Sequence, residues 1–184
     1  MPDAAIYNAL ATLLTYPEAD YPQQIEASVR IAPEEGGAQL EQFATQVRGL
    51  APEELQELFT RTFDLNHMCS LEMGWHLFGE NYDRVLLLVR MRGELRRHEL
   101  EESTELPDHL THALRLVGRM EREAAADFTG ACVLPALEKM LLAIRGKKNP
   151  FENVLLAVRT LLHREFPELP LDTPQTEPLL KVLV

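Results

Sequence analysis

The sequence is poor in the residues from which disulfide scaffolds, metal clusters and membrane spans are built. Two cysteines, Cys69 and Cys132, among 184 residues exclude a disulfide framework and any multi-cysteine metal site. The longest apolar run, residues 85–89, is far too short to cross a bilayer. Asp3 stands where a signal peptide needs Lys or Arg, and the first apolar residues are spaced instead of continuous. We therefore expect a cytoplasmic protein.

Basic residues are scarce as well. The chain has 18 Lys and Arg against 29 Asp and Glu, a formal net charge of −11, so nucleic acids and anionic membrane surfaces are poor partners. Residues 1–60 carry ten acidic and two basic residues. That imbalance either attracts a basic partner or serves solubility alone. The 46% hydrophobic and 26% charged content is typical of one globular domain.

Apolar residues recur at intervals of three and four, the spacing of amphipathic helices. A first stripe consists of Ile6, Ala9, Leu10, Leu13 and Leu14. Later stripes consist of Leu110, Ala113, Leu114 and Val117, and of Val133, Leu137, Met140, Leu141 and Ile144. No segment alternates with a period of two. The sequence therefore predicts an all-α, single-domain helical bundle of about seven to nine helices.

Three local signals predict where helices begin and break. Pro52 suits the first turn of a helix. Asn81 opens a helix whose first turns are apolar on most sides, so we expect that helix to be central and buried. Gly130 and Pro135 should split or kink the helix that contains them, because proline lacks the amide and clashes with the preceding turn.

The chain divides into a body and a tail. We assign residues 1–166 to an all-helical domain and residues 167–184 to a proline-rich C-terminal tail with an apolar terminus. The tail holds four of the twelve prolines, which prevents a regular helix before about Pro178. It either packs on the body as a strand-like segment, which we favour, or covers an apolar groove or a neighbouring molecule.

Signatures of enzymes and cofactor sites are missing from the sequence. It has no glycine-rich phosphate loop, no nucleophile elbow and no zinc-protease motif, so we predict no catalytic residue and no cofactor. A loose cluster of His67, Cys69 and His76 offers three of the four ligands that a structural zinc site needs. Haem needs only one axial histidine, so the sequence excludes it less firmly. A metal- or haem-binding helical bundle is the alternative function.

Two features have both a structural and a functional interpretation. Asp108 at a helix start can cap exposed amides and interact favourably with the positive end of the helix dipole. His109 would then lie at the surface. The same acid and imidazole could instead receive a charged ligand. Trp75, the single tryptophan, fits either the core or a binding groove.

Two segments together carry a family resemblance. Residues 57–84 read ELFTRTFDLNHMCSLEMGWHLFGENYDR, and residues 105–110 read ELPDHL. The matching positions are Phe59, Phe63, Asp64, Ser70, Leu71, His76, Gly79, Glu80, Asp83, Arg84, Leu106, Pro107, Asp108 and His109. The chain thereby resembles the NarJ branch of the NarJ/TorD/DmsD group, cytoplasmic assembly chaperones of molybdenum-cofactor reductases. The TorD-type second motif has one more residue between its proline and aspartate, which favours the NarJ branch.

The resemblance implies an all-α chaperone without enzymatic turnover. Such proteins bind the N-terminal segment of the apo catalytic reductase subunit before its cofactor is inserted, and insertion factors are expected as further partners. A GTP- or cofactor-binding accessory role is a weaker hypothesis, since a phosphate-binding glycine loop is missing. The residues expected to bind the client peptide are Phe63, Asp64, Leu71, Trp75, His76, Pro107, Asp108 and His109.

Overall fold

A computed structural model describes residues 4–170, and within them all regular secondary structure is helical. The α-helices are α1 (Ala4–Leu13), α2 (Tyr21–Ile31), α3 (Glu34–Val47), α4 (Pro52–Phe59), α5 (Met73–Phe78), α6 (Tyr82–Arg97), α7 (Leu110–Val117), α8 (Arg122–Phe128), α9 (Leu134–Ile144) and α10 (Phe151–Glu165). When α8 and α9 are counted as one interrupted helix, the described residues hold nine α-helices. The all-α prediction is confirmed. Asp3, which precedes the first apolar stripe, and the apolar end of the tail lie outside the described residues.

The core forms around α7 and α10. Helix α10 packs along α3 and against α9, while α1 packs on α7 and α2. Seven of the eight residues of α7 are buried, so this short helix runs through the interior. The predicted apolar stripes of α7 and α9 are all buried, because each of these helices has neighbours along that face.

The predicted interruption between α8 and α9 is present as a π-helical segment, Thr129–Val133. Pro135 has no amide to donate to the carbonyl one turn earlier, and the wider turn accommodates that loss. A second π-helical segment, Thr60–Asp64, continues α4. It carries the aromatic residue Phe63 into the core, where the ring centroid lies 5.0 Å from those of Phe59 and Phe151.

The prediction that α6 is central and buried is wrong. Only Leu87, Met91 and Leu95 of its sixteen residues are buried. Val85 and Val89 are 49% and 63% exposed. Helix α6 contacts α5 and α7 along one side, which leaves its other apolar side uncovered within residues 4–170. None of the helices in this range is both long and apolar enough to cross a membrane.

Candidate functional site

The two segments that carry the family resemblance meet in the fold. The Met73 amide donates to the Asp108 carbonyl at 2.9 Å, and the Leu110 amide donates to the Leu71 carbonyl at 2.8 Å. An isolated antiparallel bridge pairs Glu72 with the residue after Asp108. These main-chain bonds fix the start of α5 against the start of α7. The two segments thus form one structural unit although they are far apart in sequence.

Asp108 lies at the centre of this junction with no solvent exposure. Its Oδ2 accepts hydrogen bonds from the Gly74 amide at 3.0 Å and from Arg84 Nε at 3.4 Å. Its Oδ1 has no hydrogen-bond partner among the described residues. Burial raises the pKa of this carboxyl, although the Arg84 charge acts in the opposite direction. The predicted capping role therefore exists, but Asp108 caps the first turn of α5 instead of its own helix.

Gly74 permits this close approach. A Cβ atom at this position would lie 2.5 Å from Asp108 Oδ2 and 3.1 Å from Leu87 Cδ2. Any larger residue would separate α5 from the buried carboxylate. Gly74 is therefore required by the packing of the junction.

Arg84 connects the interior of the junction to its surface. It forms an ion pair with Glu72 as well as with Asp108, and its guanidinium lies over the Trp75 ring at 6.0 Å from the centroid. Our sequence-based selection of site residues missed Arg84 and Glu72. The position of Arg84 next to the apolar run at the start of α6 could have identified it, because a half-buried arginine needs carboxylate partners.

The prediction that His109 lies at the surface is wrong. The residue is 7% exposed and is the N-cap of α7, where its Nδ1 accepts from the Thr111 amide. Burial, together with the nearby His112 and Arg115, lowers the pKa of His109 to about 3. The imidazole is therefore neutral at physiological pH and serves as a cap.

His112 fastens the loop that leads into α7. Its Nδ1 donates to the Leu106 carbonyl at 3.0 Å, and its Nε2 accepts from the Ser103 amide at 3.1 Å. Burial lowers the pKa of this imidazole, which suits the neutral tautomer that these two bonds require. The loop that presents Glu105 is thus tied to the core.

An acidic and apolar surface covers this junction. Burial and the neighbouring Asp64 and Glu72 carboxylates raise the pKa of Glu105, so three acids from separate parts of the chain lie close together. Beside them in sequence, Leu65 and Leu106 are 72% and 43% exposed. We define the junction surface as Asp64, Leu65, Met68, Glu72, Trp75, Glu105 and Leu106.

The eight residues expected to bind a peptide fall into two groups. Five of them are buried and support the junction from beneath: Phe63, Leu71, Pro107, Asp108 and His109. Asp64 is exposed, and Trp75 and His76 are half-buried. The His76 ring is turned toward the Ser70 carbonyl, at 2.7 Å, and burial lowers its pKa. Direct contact with a partner is therefore open to Asp64, Trp75 and His76 in this conformation.

The loose cluster of His67, Cys69 and His76 does not form a ligand set. The Cys69 thiol is buried and faces the Met140 carbonyl at 3.7 Å, while the His67 ring packs beside Trp75 with centroids 5.9 Å apart. Within residues 4–170, no three His, Cys, Asp or Glu side chains are grouped so that they could hold a metal ion. The metal-binding alternative thus loses the cluster on which it rested.

Comparison with known proteins points to one family. The nitrate reductase delta subunit family matches residues 31–146, a range that contains the whole junction. The Escherichia coli (strain K12) nitrate reductase molybdenum cofactor assembly chaperone NarJ is 27% identical over 125 residues, which are 64% of this chain and 53% of that protein. The chain thus spans about half the length of that relative. A probable NarJ chaperone of Bacillus subtilis (strain 168) is 26% identical over 162 residues, 85% of this chain and 84% of that protein.

Proposed function

The chain belongs to the nitrate reductase delta subunit family, and from this premise we propose that it is an assembly chaperone of a molybdopterin-dependent respiratory reductase. In this proposal it binds the N-terminal segment of the apo catalytic subunit, assists cofactor insertion and catalyses no reaction. Cofactor-insertion factors as further partners, and the cytoplasmic location, remain predictions from the sequence.

One observation carries the proposal: the junction surface combines clustered carboxylates with exposed apolar side chains. Asp64 and Glu105 come from segments far apart in sequence, yet the Asp64 charge adds to burial in raising the pKa of Glu105. Leu65 and Met68, which follow Asp64 closely in sequence, are 72% and 70% exposed. A client segment with basic residues and an apolar face complements this surface, because apolar contact supplies affinity while charge steers and orients the encounter.

The buried part of the junction prepares this surface for binding. Asp108 and Arg84 hold α5 and α6 in position, and His112 holds the loop that carries Glu105 and Leu106. Because these groups are already ordered before a client binds, little conformational entropy is lost in forming the binding surface. The role of the buried residues in the proposal is therefore positioning.

Two buried titratable groups, the Cys69 thiol and the His109 imidazole, suit a structural role better than turnover. Burial raises the pKa of the Cys69 thiol to about 12, so a thiolate nucleophile is not available at neutral pH. His109 is held neutral inside the junction with its Nδ1 committed to the start of α7. Neither group is poised as a general acid or base.

The test is calorimetric titration of the full-length protein with a synthetic peptide of the reductase subunit's N-terminal segment. We expect saturable binding that the double variant Asp64→Asn, Glu105→Gln weakens about fivefold at low salt, because two surface charges are removed. The difference should shrink at high ionic strength.

The matched control removes two acids from the same acidic chain without touching the junction surface. Glu26→Gln, Glu41→Gln on α2 and α3 should bind the peptide with wild-type affinity. No heat and no competition at tens of micromolar peptide would contradict the proposed function. Equal weakening in both double variants would contradict the placement of the client on the junction surface.

A further inference from the structure

The outer face of α6 is an apolar stripe that the described part of the chain leaves uncovered. Tyr82, Val85 and Val89 are 69%, 49% and 63% exposed and lie on one face because they are three and four residues apart. The helix packs inward through Leu87 and Met91 on the opposite side. A helix that is apolar on most sides is typical of a buried position. We therefore expect another surface to cover this stripe.

Gly93 continues the same stripe and has no packing reason within the described residues. A Cβ atom at Gly93 would meet nothing within 4 Å. Glycine in a helix interior destabilises the helix relative to alanine. At position 93 this loss of stability is not explained by a close contact within the described residues. Gly93 does create a notch on the exposed face of α6, one turn beyond Val89.

Charged side chains of both signs lie near each end of α6. Asp83 and Arg84 lie in its first turn, and Glu94 pairs with Arg97 near its end. Arg96 lies on the apolar stripe, and within residues 4–170 the ion pairs of α6 do not include it. A uniformly basic client helix would meet this arginine unfavourably. A second copy running in the opposite direction places an aromatic ring opposite this arginine instead, because Tyr82 and Arg96 lie on the stripe at equal distances from Val89.

We propose that the partner is a second copy of this chain, bound through α6 in an antiparallel, two-fold symmetric dimer. With the two-fold axis at Val89, each Val85 faces the Gly93 notch of the other copy, and each Tyr82 faces the other copy's Arg96. The ring and the guanidinium can then form a cation–π contact. The valine–notch contact and the cation–π contact both form in this one register, as a self-complementary interface requires. The inference is independent of the proposed chaperone function.

The first test is the mass of the full-length protein by sedimentation equilibrium across a range of concentrations. We expect association to twice 20.9 kDa with dissociation on dilution, because a single helix pair is a small interface. Gly93→Leu fills the notch while favouring the helix, and Val89→Glu places like charges on the axis. Both variants should weaken association at least tenfold.

The matched control replaces an exposed leucine elsewhere. Leu142→Glu on α9, at a side chain 73% exposed, should leave association unchanged. A wild-type mass of one chain at every concentration would overturn the dimer, and so would association that survives Val89→Glu and Gly93→Leu. A monomer whose peptide binding is lost in Val89→Glu would also overturn it and would assign the stripe to the client.

Cysteine crosslinking tests the register. Cys69 and Cys132 are buried, so Val89→Cys introduces one exposed thiol, which should form a disulfide with its copy when diamide is added. Val85→Cys is the control, because antiparallel pairing places the two copies eight residues apart along the helix, about 12 Å, beyond disulfide reach. Equal crosslinking of both variants, or of neither, would overturn this register.

Discussion

Helices α6 and α7 are neighbours in the chain and contact each other, yet the fold uses them in opposite ways. In α7, seven of eight residues are buried, including the polar Thr111 and His112. In α6, three of sixteen are buried, and Val85 and Val89 remain exposed. The consecutive apolar residues at the start of α6 are therefore not a sign of burial in this fold.

The difference shows what each helix contributes. The buried polar groups of α7 have partners: His112 bonds to Ser103 and Leu106. Buried polar groups are tolerated when they are paired, so they can fix a loop from inside the core. The exposed apolar face of α6 stabilises little within the described residues. Helix α7 therefore builds the scaffold, and the outer face of α6 is free for association.

The largest predicted effect contrasts a buried position in α7 with an exposed position in α6. Leu114→Ala in α7 should destabilise the protein by about 3 kcal/mol, because it leaves a cavity in a fully buried site. Val89→Ala in α6 should change the free energy of unfolding by less than about 0.5 kcal/mol when measured on dilute protein. Urea unfolding of both variants measures this, and similar losses would mean that α6 is part of the core.

A smaller effect contrasts two glycines. Gly74→Ala should cost about 2 kcal/mol, because the new methyl group collides with the buried Asp108 carboxylate. Gly93→Ala meets open space and should stabilise the protein by about 1 kcal/mol through helix propensity. The same unfolding assay applies, and loss of stability in Gly93→Ala would show that the position is packed.

The third effect depends on pH and belongs to α7. The folded state holds the pKa of His109 at about 3, below the ordinary value of about 6.5. The unfolded chain therefore binds the proton first, and stability contributed by the neutral imidazole is lost as pH falls below about 6.5, by about 1.4 kcal/mol per unit.

His109→Asn is the variant for this measurement, because asparagine also caps helices and does not titrate. Unfolding free energies at several pH values between 7 and 5 should fall less steeply for the variant than for the wild type. Parallel pH profiles would contradict the assignment of this dependence to His109.

Local signals in the sequence predicted local structure well. Pro52 begins α4, Asn81 caps α6 through its side chain, and Pro135 lies just after the break between α8 and α9. Each depends on backbone chemistry within a few residues. The resemblance likewise brought together two segments that the fold joins.

Long-range packing could not be predicted in the same way. Periodicity shows which face of a helix is apolar, but it does not show which neighbours cover that face, so α6 was misplaced. The burial of Asp108 follows from a hydrogen bond to Gly74 and an ion pair with Arg84, partners 34 and 24 residues away. Such pairings depend on the tertiary arrangement and leave no spacing pattern in the sequence.

The single tryptophan offers the most direct test of client binding at the junction. Trp75 is half-buried, with Arg84 over its ring, so its emission should respond when a peptide covers this surface. Titration of the full-length protein with the reductase N-terminal peptide should give a saturable change in Trp75 emission with the same midpoint as the calorimetric signal. Binding heat without any change in emission would place the client elsewhere and contradict the account.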